Sequence, residues 1–204
     1  MDVALALPAL LLLSPILLLL AAWVKLDSPG PALYAQERLG QRERPFRILK
    51  FRSMVANADR IGPAVSGRHD PRVTRAGRFL RASKLDELPQ LINVLKGEMT
   101  LIGPRAEVAR YLPHFTPEEK LLLQVRPGLT GPGQIHFTTE QAAELDVAAD
   151  AEEHYVRHQL HAKLSLDLDY LRHRCLSVDM RVLGQTLAVL LGARKERGSA
   201  TTAS

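Results

Sequence analysis

The sequence contains a single cysteine, Cys175, and aromatic residues make up only 5% of its 204 residues. One cysteine excludes a framework of internal disulfide bonds. The cysteine and the histidines have no spacing typical of a zinc site, which argues against a structural zinc. Motifs that read duplex DNA are also missing, and together with the few aromatic residues this argues against a nucleic-acid partner.

Charge is absent from residues 3–24, which form one apolar run of 22 residues. As a helix this run is about 33 Å long, enough to cross the hydrocarbon core of a bilayer. Pro15 near its centre predicts a bend or break, and Ser14 can bond a carbonyl group that the break frees. The residues alone favour a kinked spanning helix over a re-entrant hairpin. A cleaved signal peptide is disfavoured because no basic residues precede the run.

The charge that follows the apolar run is basic. Residues 25–81 contain 13 lysines and arginines against 5 acidic residues, whereas residues 82–204 contain 14 against 16. Basic residues directly after a membrane helix predict that the following domain is cytoplasmic. They also indicate an anionic partner, such as membrane head groups, a phosphorylated substrate or nucleic acid, with a merely solvated basic face as an equal alternative.

The rest of the pattern predicts an α+β fold that is mainly helical, with a small β-hairpin and amphipathic helices at the membrane interface. Strands are expected at 32–39 and 45–52. Helices are expected at 73–82, at 87–96 with an end at Gly97, and over the long stretch 155–192.

The same segments divide the chain into three parts. Residues 1–25 are predicted to form the membrane segment and residues 26–193 a cytoplasmic catalytic domain. Residues 194–204 are polar and are predicted to be a disordered tail.

The segment 83–90, SKLDELPQ, holds the densest group of chemically active residues. Asp86 has a structural explanation as the N-cap of a helix that tolerates Pro89 and favours Glu87 in its first turn. In the functional interpretation, Asp86 lies near basic residues, stays ionised at neutral pH and attacks phosphorus to form an acyl phosphate. Because adjacent helical residues point about 100° apart, Glu87 can instead bind a metal or accept a proton. Mg²⁺ is the expected cofactor, since it prefers carboxylate and phosphate oxygens.

Two basic groups are candidates for holding phosphates. Lys50 and Arg52 alternate along a predicted strand, which puts both on one face. Arg105 ends a Gly-Pro-Arg turn, and a fixed loop of this kind presents a guanidinium to a phosphate. Each group alone is weak evidence, but together with the acidic pair they suit an anionic diphosphate beside a membrane.

These motifs resemble those of the bacterial sugar transferases called monotopic phosphoglycosyl transferases, of the small single-domain kind. The resemblance covers roughly residues 2–134 and 160–190. It is carried, in this order, by LLLLSPILLLLAAWVKLDSPGP, QERLG, FRILKFRSM, DPRVTRAGRFLRASKLDELPQLINVLKGEMTLIGPR, VRPGLTG and LDLDYLRHRCLSVDMRVL.

The resemblance implies an enzyme at the cytoplasmic face of a bacterial inner membrane. Ser14 and Pro15 would form a re-entrant break, which makes the spanning helix the less favoured alternative. Asp86 would attack the β-phosphate of a UDP-sugar and release UMP, and polyprenyl phosphate would then accept the sugar phosphate. Glu87 would assist through Mg²⁺ or as a proton acceptor.

The resemblance also implies roles for the basic residues. Arg105 would contact substrate phosphate, and Lys50 and Arg52 would lie at the active-site face. Arg126 of the RPGLTG segment would contact phosphate or uridine. The resemblance does not specify the sugar, the pathway or the oligomeric state.

The chain departs from the family pattern in three places. No basic residues precede the apolar run. The stretch PGQIH at 132–136 replaces an AQVNGR-like stretch, and an acidic stretch at 138–153 follows it. Ala106 stands where the family usually has proline. The second departure falls where selectivity for the nucleotide or the sugar would be set.

Two other functions are alternatives. The first is a membrane-anchored protein without catalysis, which binds anionic lipid or nucleic acid and is indifferent to Asp86. The second is a conventional glycosyltransferase, which releases UDP rather than UMP. The presence of Asp86, Glu87 and Arg105 together favours the phosphoglycosyl transferase.

Overall fold

The computed structural model describes residues 2–62, 65–67, 69–136, 144–148 and 150–190. It shows a mainly helical α+β chain, as predicted, whereas the predicted tail at 194–204 lies outside the described residues. The main elements are α1 (Asp2–Asp27), β1 (Leu33–Leu39), β2 (Pro45–Phe51), α2 (Arg75–Ala82), α3 (Leu91–Leu95), β3 (Thr100–Ile102), β4 (Gly128–Thr130), α4 (Pro132–His136), α5 (Ala151–His154, the π-helical Tyr155–Leu160 and His161–His173) and α6 (Leu176–Leu190). Short 3₁₀ helices lie at Gln41–Glu43, Ala58–Arg60, Leu85–Gln90, Ala109–His114 and Glu119–Gln124.

The predicted hairpin is confirmed, because β1 and β2 pair antiparallel with Leu33 opposite Phe51. A second sheet pairs β3 and β4 in parallel, with Thr100 opposite Gly128. This pairing places the Gly-Pro-Arg turn after β3 beside the segment around β4. A Cβ atom on Gly128 would lie 2.2 Å from the amide nitrogen of Gly103, so the close approach of the two segments requires glycine at this position.

Helix α1 remains helical through Ser14 and Pro15, so the expected break does not interrupt its secondary structure. Pro15 has no amide proton to donate to the carbonyl of Leu11. The Ser14 hydroxyl donates to that carbonyl at 2.8 Å, which confirms the role predicted for Ser14. By length and composition α1 is apolar enough to cross a membrane.

One side of α1 packs on the rest of the domain along its whole length. Ala6 and its neighbours contact a cluster that includes Ile48 of β2 and Val94 of α3. Towards the other end, Val24 packs in a cluster with Leu80 of α2. The opposite side of α1 leaves large apolar side chains exposed, among them Leu11, Leu12, Leu18 and Leu19. Burial of one side anchors the helix to the domain, and the exposed side is suited to lipid.

Polar contacts tie both ends of α1 to the same domain. The Asp2 carboxylate accepts a hydrogen bond from the Thr100 hydroxyl of β3 at 2.8 Å. At the other end, the Asp27 carboxylate accepts from the amide of Ala76 at 3.0 Å, where α2 begins. The two ends of this 26-residue helix therefore meet one continuous body.

The stretch 155–192, predicted to be helical, is helical over its described part except for a turn between α5 and α6. Arg174 has an extended ψ of 120°, which ends α5. Asp179 of α6 is buried and accepts a hydrogen bond from the Tyr170 hydroxyl at 2.5 Å. The turn lets Val182 pack in a cluster with Ile102 and Tyr170, an arrangement that a straight helix could not provide.

Candidate active site

The chain reaches the acidic pair through a sharp turn. Helix α2 is capped by Thr74, whose hydroxyl accepts from the amide of Gly77 at 3.0 Å, and it ends before Ser83. Lys84 then adopts a left-handed conformation with φ 59°, and the 3₁₀ helix begins at Leu85. Asp86 is the second residue of that 3₁₀ helix, so its interpretation as an N-cap is wrong. The left-handed turn at Lys84 moves the helix start, and no side chain caps it.

A buried asparagine holds the strand β2 against the acidic segment. Asn93 of α3 accepts from the amide of Leu49 at 3.0 Å and donates to the carbonyl of Arg47 at 2.8 Å. Its side chain thus substitutes for a neighbouring strand along β2. Sequence reasoning did not identify Asn93, because nothing in the sequence marks an asparagine inside a helix as a partner of a distant strand.

Glu87 lies at the centre of a cluster of charges. Its Oε1 atom is 2.7 Å from Lys50 Nζ and 3.8 Å from Arg105 Nη1. Burial alone would raise the pKa of Glu87, but Lys50 and Arg105 outweigh it and lower the pKa to about 2. The structure therefore brings together three of the predicted residues, with Glu87 ionised between two cations.

Asp86 has a different environment from its neighbour. It is only 8% exposed and makes no hydrogen bond or ion pair with any residue in the described part of the chain. Burial raises the pKa of Asp86, Glu87 raises it further, and Lys50 and Lys84 oppose both effects. Desolvation is therefore the dominant cause, and the basic neighbours only partly oppose the rise in the pKa of Asp86. Asp86 is a buried carboxyl whose oxygens have no protein partner.

Arg105 is oriented from both its backbone and its side chain. Its amide donates to the Asp167 carboxylate of α5 at 3.0 Å. Its Nη1 atom donates to Gln134 Oε1 at 3.1 Å, and Gln134 Nε2 in turn donates to the carbonyl of Gly128 at 3.3 Å. Burial acts to lower the pKa of Arg105, but Glu87 and Glu107 outweigh it and raise the pKa. A permanently charged guanidinium is thus aimed at the acidic pair.

Arg52 has another role than the predicted binding of phosphate. Its Nε donates to the carbonyl of Pro31, its Nη1 to Ser28 Oγ and the Pro29 carbonyl, and its Nη2 to the Val24 and Ser28 carbonyls. All five N–H groups are used to hold the end of α1 and the turn after it. The predicted assignment to phosphate is therefore corrected. Lys50 and Arg52 alternate along the chain as expected, but their side chains serve different parts of the fold.

Arg126 is exposed and makes no hydrogen bond or ion pair within the described residues. The structure places it just before β4, and its contact with phosphate or uridine stays a prediction.

A buried polar group behind Arg105 was not identified from the sequence. Glu107 accepts from the Tyr155 hydroxyl at 3.2 Å and lies 3.9 Å from Arg38 Nη1. Arg38 also donates to the carbonyl of Ala106 at 3.1 Å. Arg38 belongs to the QERLG motif, and this motif was the only feature of the sequence that pointed to the group. This group fixes the chain immediately after Arg105.

Among the described residues, no group of three or more histidines, cysteines, aspartates and glutamates could hold a metal ion. Mg²⁺ at a phosphate site commonly uses one or two carboxylates and completes its shell with phosphate oxygens and water. Asp86 and Glu87 supply two carboxylates, and the buried Asp86 has no hydrogen-bonded partner. The residues therefore fit Mg²⁺ that arrives with a phosphate-bearing substrate, but not a metal held by protein alone.

The arrangement has the chemistry of a phosphate site. Lys50, Arg105 and Lys84 all interact electrostatically with the acidic pair, and they provide positive charge for an anionic group. The desolvated Asp86 carboxylate, when ionised, is a strong nucleophile toward phosphorus.

Comparison with known proteins agrees with this chemistry. A family model described as bacterial sugar transferase matches residues 1–193. The chain is 38% identical, over 95% of its length, to a UDP-N-acetylgalactosamine-undecaprenyl-phosphate N-acetylgalactosaminephosphotransferase of Aeromonas hydrophila, of which it covers 44%. It is 38% identical, over 94% of its length, to a UDP-glucose:undecaprenyl-phosphate glucose-1-phosphate transferase of Caulobacter vibrioides, of which it covers 68%.

A third relative is of nearly the same length. The exopolysaccharide production protein PSS of Rhizobium leguminosarum is 36% identical over 91% of this chain and 90% of its own length. The chain thus spans less than half of the Aeromonas relative and most of the Rhizobium one. With the family model matching residues 1–193, this chain belongs to the bacterial sugar transferase family.

Proposed function

We propose that this chain transfers a sugar 1-phosphate from a UDP-sugar to polyprenyl phosphate, with undecaprenyl phosphate as the acceptor named for its relatives. The observation that carries the proposal is the buried, unpaired carboxyl of Asp86 next to the cluster of Glu87, Lys50 and Arg105. The reaction would be the first membrane step in the synthesis of a bacterial glycoconjugate or exopolysaccharide.

In the first step, an oxygen of the Asp86 carboxylate attacks the β-phosphorus of the UDP-sugar. A bond forms between that oxygen and phosphorus, and the bond from phosphorus to the oxygen bridging to the α-phosphate breaks. UMP leaves with the bridging oxygen, and the sugar phosphate stays on Asp86 as an acyl phosphate. Lys50 and Arg105 supply positive charge where negative charge develops.

In the second step, a phosphate oxygen of the polyprenyl phosphate attacks the same phosphorus. The bond between phosphorus and the Asp86 oxygen breaks, which regenerates the carboxylate and yields a polyprenyl diphosphate sugar. A proton on the attacking phosphate would pass to a nearby base. Splitting the transfer into two displacements lets donor and acceptor react in turn with the same carboxylate instead of directly with each other.

Glu87 and Mg²⁺ would support both steps. Bound Mg²⁺ would neutralise charge on the diphosphate oxygens. Asp86 and Glu87 are the residues available to hold it. Glu87 has its pKa lowered to about 2, so it is an anion throughout the working pH range and keeps Lys50 and Arg105 near the reacting phosphorus.

Helix α1 is not interrupted at Pro15, but its contacts favour a membrane segment over residues 1–25 whose two ends lie on the same side of the bilayer, as in a re-entrant segment, next to a catalytic domain over 26–193. A spanning helix would separate its ends by about 30 Å of hydrocarbon. Asp2 and Asp27 instead bond to Thr100 and Ala76 of the same domain. With both ends on one side, the basic residues after α1 favour the cytoplasmic face of the inner membrane.

The test is release of UMP by the purified protein in nanodiscs that contain undecaprenyl phosphate and Mg²⁺. UDP-glucose and UDP-N-acetylgalactosamine are the first donors to supply, since relatives are named for these sugars. We expect UMP, not UDP, and Asp86→Asn should reduce release by about 10³-fold or more. Asp169→Asn is the matched control, because Asp169 is exposed and, among the described residues, pairs only with His173.

A covalent intermediate gives a second readout. With labelled donor and no acceptor, acid quench and proteolysis should recover sugar phosphate on the peptide that contains Asp86. UDP as the product, or undiminished turnover by Asp86→Asn, would overturn the proposal.

A further inference from the structure

Asp167 of α5 is a buried acid that the proposed chemistry does not use. It is 1% exposed, although it lies in a helix whose next acidic residue, Asp169, faces solvent. Burying a carboxylate is costly unless its oxygens accept hydrogen bonds. Its two oxygens accept from backbone amides of two separate segments, the Gly-Pro-Arg turn and helix α4.

The two amides are those of Arg105 and Gly133. The Arg105 amide donates to Asp167 Oδ2 at 3.0 Å, and the Gly133 amide donates to Oδ1 at 2.9 Å. The first amide ends the Gly-Pro-Arg turn after β3, and the second lies in α4, just after the segment that contains β4. A Cβ atom on Gly133 would lie 2.9 Å from Asp167 Oδ1, so the approach of α4 to α5 is as close as glycine allows.

We propose that Asp167 is a positioning residue that clamps the Gly-Pro-Arg turn to α4 and thereby sets the place of the Arg105 guanidinium next to the acidic pair. This proposal rests on the proposed function. Gln134 follows Gly133 and accepts from Arg105 Nη1 at 3.1 Å, so one carboxylate fixes both the backbone of Arg105 and the backbone that carries its side-chain partner.

A carboxylate is needed because both segments, the Gly-Pro-Arg turn and α4, present an amide N–H donor to Asp167. Asparagine at the same position keeps one oxygen acceptor and turns an NH₂ group toward the second amide. One segment would lose its partner and one buried N–H would be left opposite another donor. The asparagine side chain would still fit in the space of Asp167. The substitution should therefore disturb the placement of Arg105 rather than the packing around residue 167.

The charged groups around Asp167 agree with this role. Burial is the main cause that raises its pKa to about 6, and the two amide hydrogen bonds act against it. Glu107 and Arg105 act on it from the segment after β3, and Lys163 lies one turn earlier on α5. The hydrogen bonds of Asp167 go to Arg105 and Gly133, not to Asp86 or Glu87. Asp167 therefore influences the reaction through Arg105.

The experiment is a double-mutant cycle on the full chain in nanodiscs, with UMP release as the readout. Asp167→Asn should lower kcat about 10- to 100-fold in the wild-type background. In an Arg105→Lys background, where the guanidinium and its bond to Gln134 are already lost, the same substitution should change kcat by less than about 2-fold. Gly133→Ala should behave in the same way, because its Cβ atom displaces the Asp167 carboxylate.

Asp179→Asn is the matched control. Asp179 is also a buried aspartate, 8% exposed, and its carboxylate accepts from Tyr170 rather than from a loop at the active site. Its effect on kcat should be the same factor in both backgrounds. If Asp167→Asn also lowers kcat by the same factor in both backgrounds, Asp167 is merely structural and the proposal is overturned.

A readout independent of turnover covers variants that are too slow to assay. Amide hydrogen exchange at Arg105 and Gly133 should be faster in Asp167→Asn and unchanged in Asp179→Asn. Unchanged exchange in Asp167→Asn overturns the clamp. Wild-type protein that releases no UMP while these two amides are protected by Asp167 would contradict the proposed function and leave the clamp standing.

Discussion

Asp86 and Asp167 are buried to similar degrees in two different regions of the molecule, and their surroundings are opposite. Asp167 sits on a long helix and accepts hydrogen bonds from two backbone amides, one in the Gly-Pro-Arg turn and one in α4. Asp86 sits on a six-residue 3₁₀ helix after a left-handed turn and accepts none from the described residues. Burial raises the pKa of both. The difference lies in their partners: backbone amides hold both oxygens of Asp167, whereas those of Asp86 have no partner among the described residues and are left for water or a ligand.

The largest expected effect is on UMP release by the Asp86→Asn variant, and the thermal stability of the variants distinguishes Asp86 from Asp167. Asp86→Asn removes a buried acid without a hydrogen-bonding partner, so it should abolish UMP release while the thermal unfolding midpoint stays the same or rises. Asp167→Asn breaks a hydrogen bond to a buried amide and should lower that midpoint. The measurement is thermal unfolding in detergent beside UMP release. A lower midpoint for Asp86→Asn would break the contrast.

The next largest effect distinguishes Lys50 of β2 from Arg52, which directly follows that strand. Lys50→Ala removes the 2.7 Å partner of Glu87 and should lower kcat about 100-fold in a protein that remains folded. Arg52→Ala removes five hydrogen bonds from the end of α1 and should destabilise the fold by at least ~3 kcal/mol. The activity of the folded fraction of Arg52→Ala should be close to that of the wild type.

That comparison has a clear failure. If folded Arg52→Ala loses activity as severely as Lys50→Ala, Arg52 contacts the substrate and its structural assignment is wrong. Unfolding followed by tryptophan fluorescence separates the folded fraction, since Trp23 lies on α1 next to Phe79 of α2.

A smaller effect concerns pH. The pKa of Asp167 is raised from 3.8 to about 6, so the native state binds this proton more tightly than the unfolded state does. The contribution of Asp167 to stability therefore increases as pH falls through about 6. Activity should fall over the same range, because the protonated carboxyl loses an acceptor for one of the two backbone amides.

The measurement compares wild type and Asp167→Asn between about pH 8 and about pH 5. The changes in stability and in kcat that protonation of Asp167 causes should be absent from the variant. Changes that come from protonation of the substrate phosphates should appear in both proteins. An identical acid limb of kcat in the two proteins would show that Asp167 does not titrate in this range.

The smallest effect sharpens the role of the clamp. Gln134→Ala removes the 3.1 Å acceptor of the Arg105 guanidinium but leaves the backbone bonds of Asp167 intact. We expect a 3- to 10-fold rise in KM for the UDP-sugar, roughly, with little change in kcat, because only one of two restraints is lost. A larger loss than that of Asp167→Asn would transfer the main positioning role to Gln134.

The sequence predicted much of the fold because its signals are local. The two short strands of the hairpin and the helix end at Gly97 are both readable from neighbouring residues. The turn between α5 and α6 was missed because its cause is the distant packing of Val182 on Ile102. Local periodicity carries no information about such a contact.

The site shows the same division. The acidic pair, Lys50 and Arg105 were predicted from residue types and motifs, and the structure brings them together. Asn93 and Asp167 were not, because both act on backbone atoms many residues away, and Arg52 was misassigned for the same reason. A motif marks the residues that are chemically distinctive, whereas the residues that place them are identified only in three dimensions.

The contacts of α1 have a consequence for shortened forms of the chain. One side of this helix completes the interior around Ile48, Val94 and Leu80, and the other side exposes a row of leucines. Removing residues up to Asp27 would expose the apolar interior around Ile48, Val94 and Leu80 to water. Keeping α1 in a protein without lipid would leave its row of leucines exposed to water. We therefore expect a fragment that begins after Asp27 to lose the native interior that α1 completes and to associate through the surface that it uncovers.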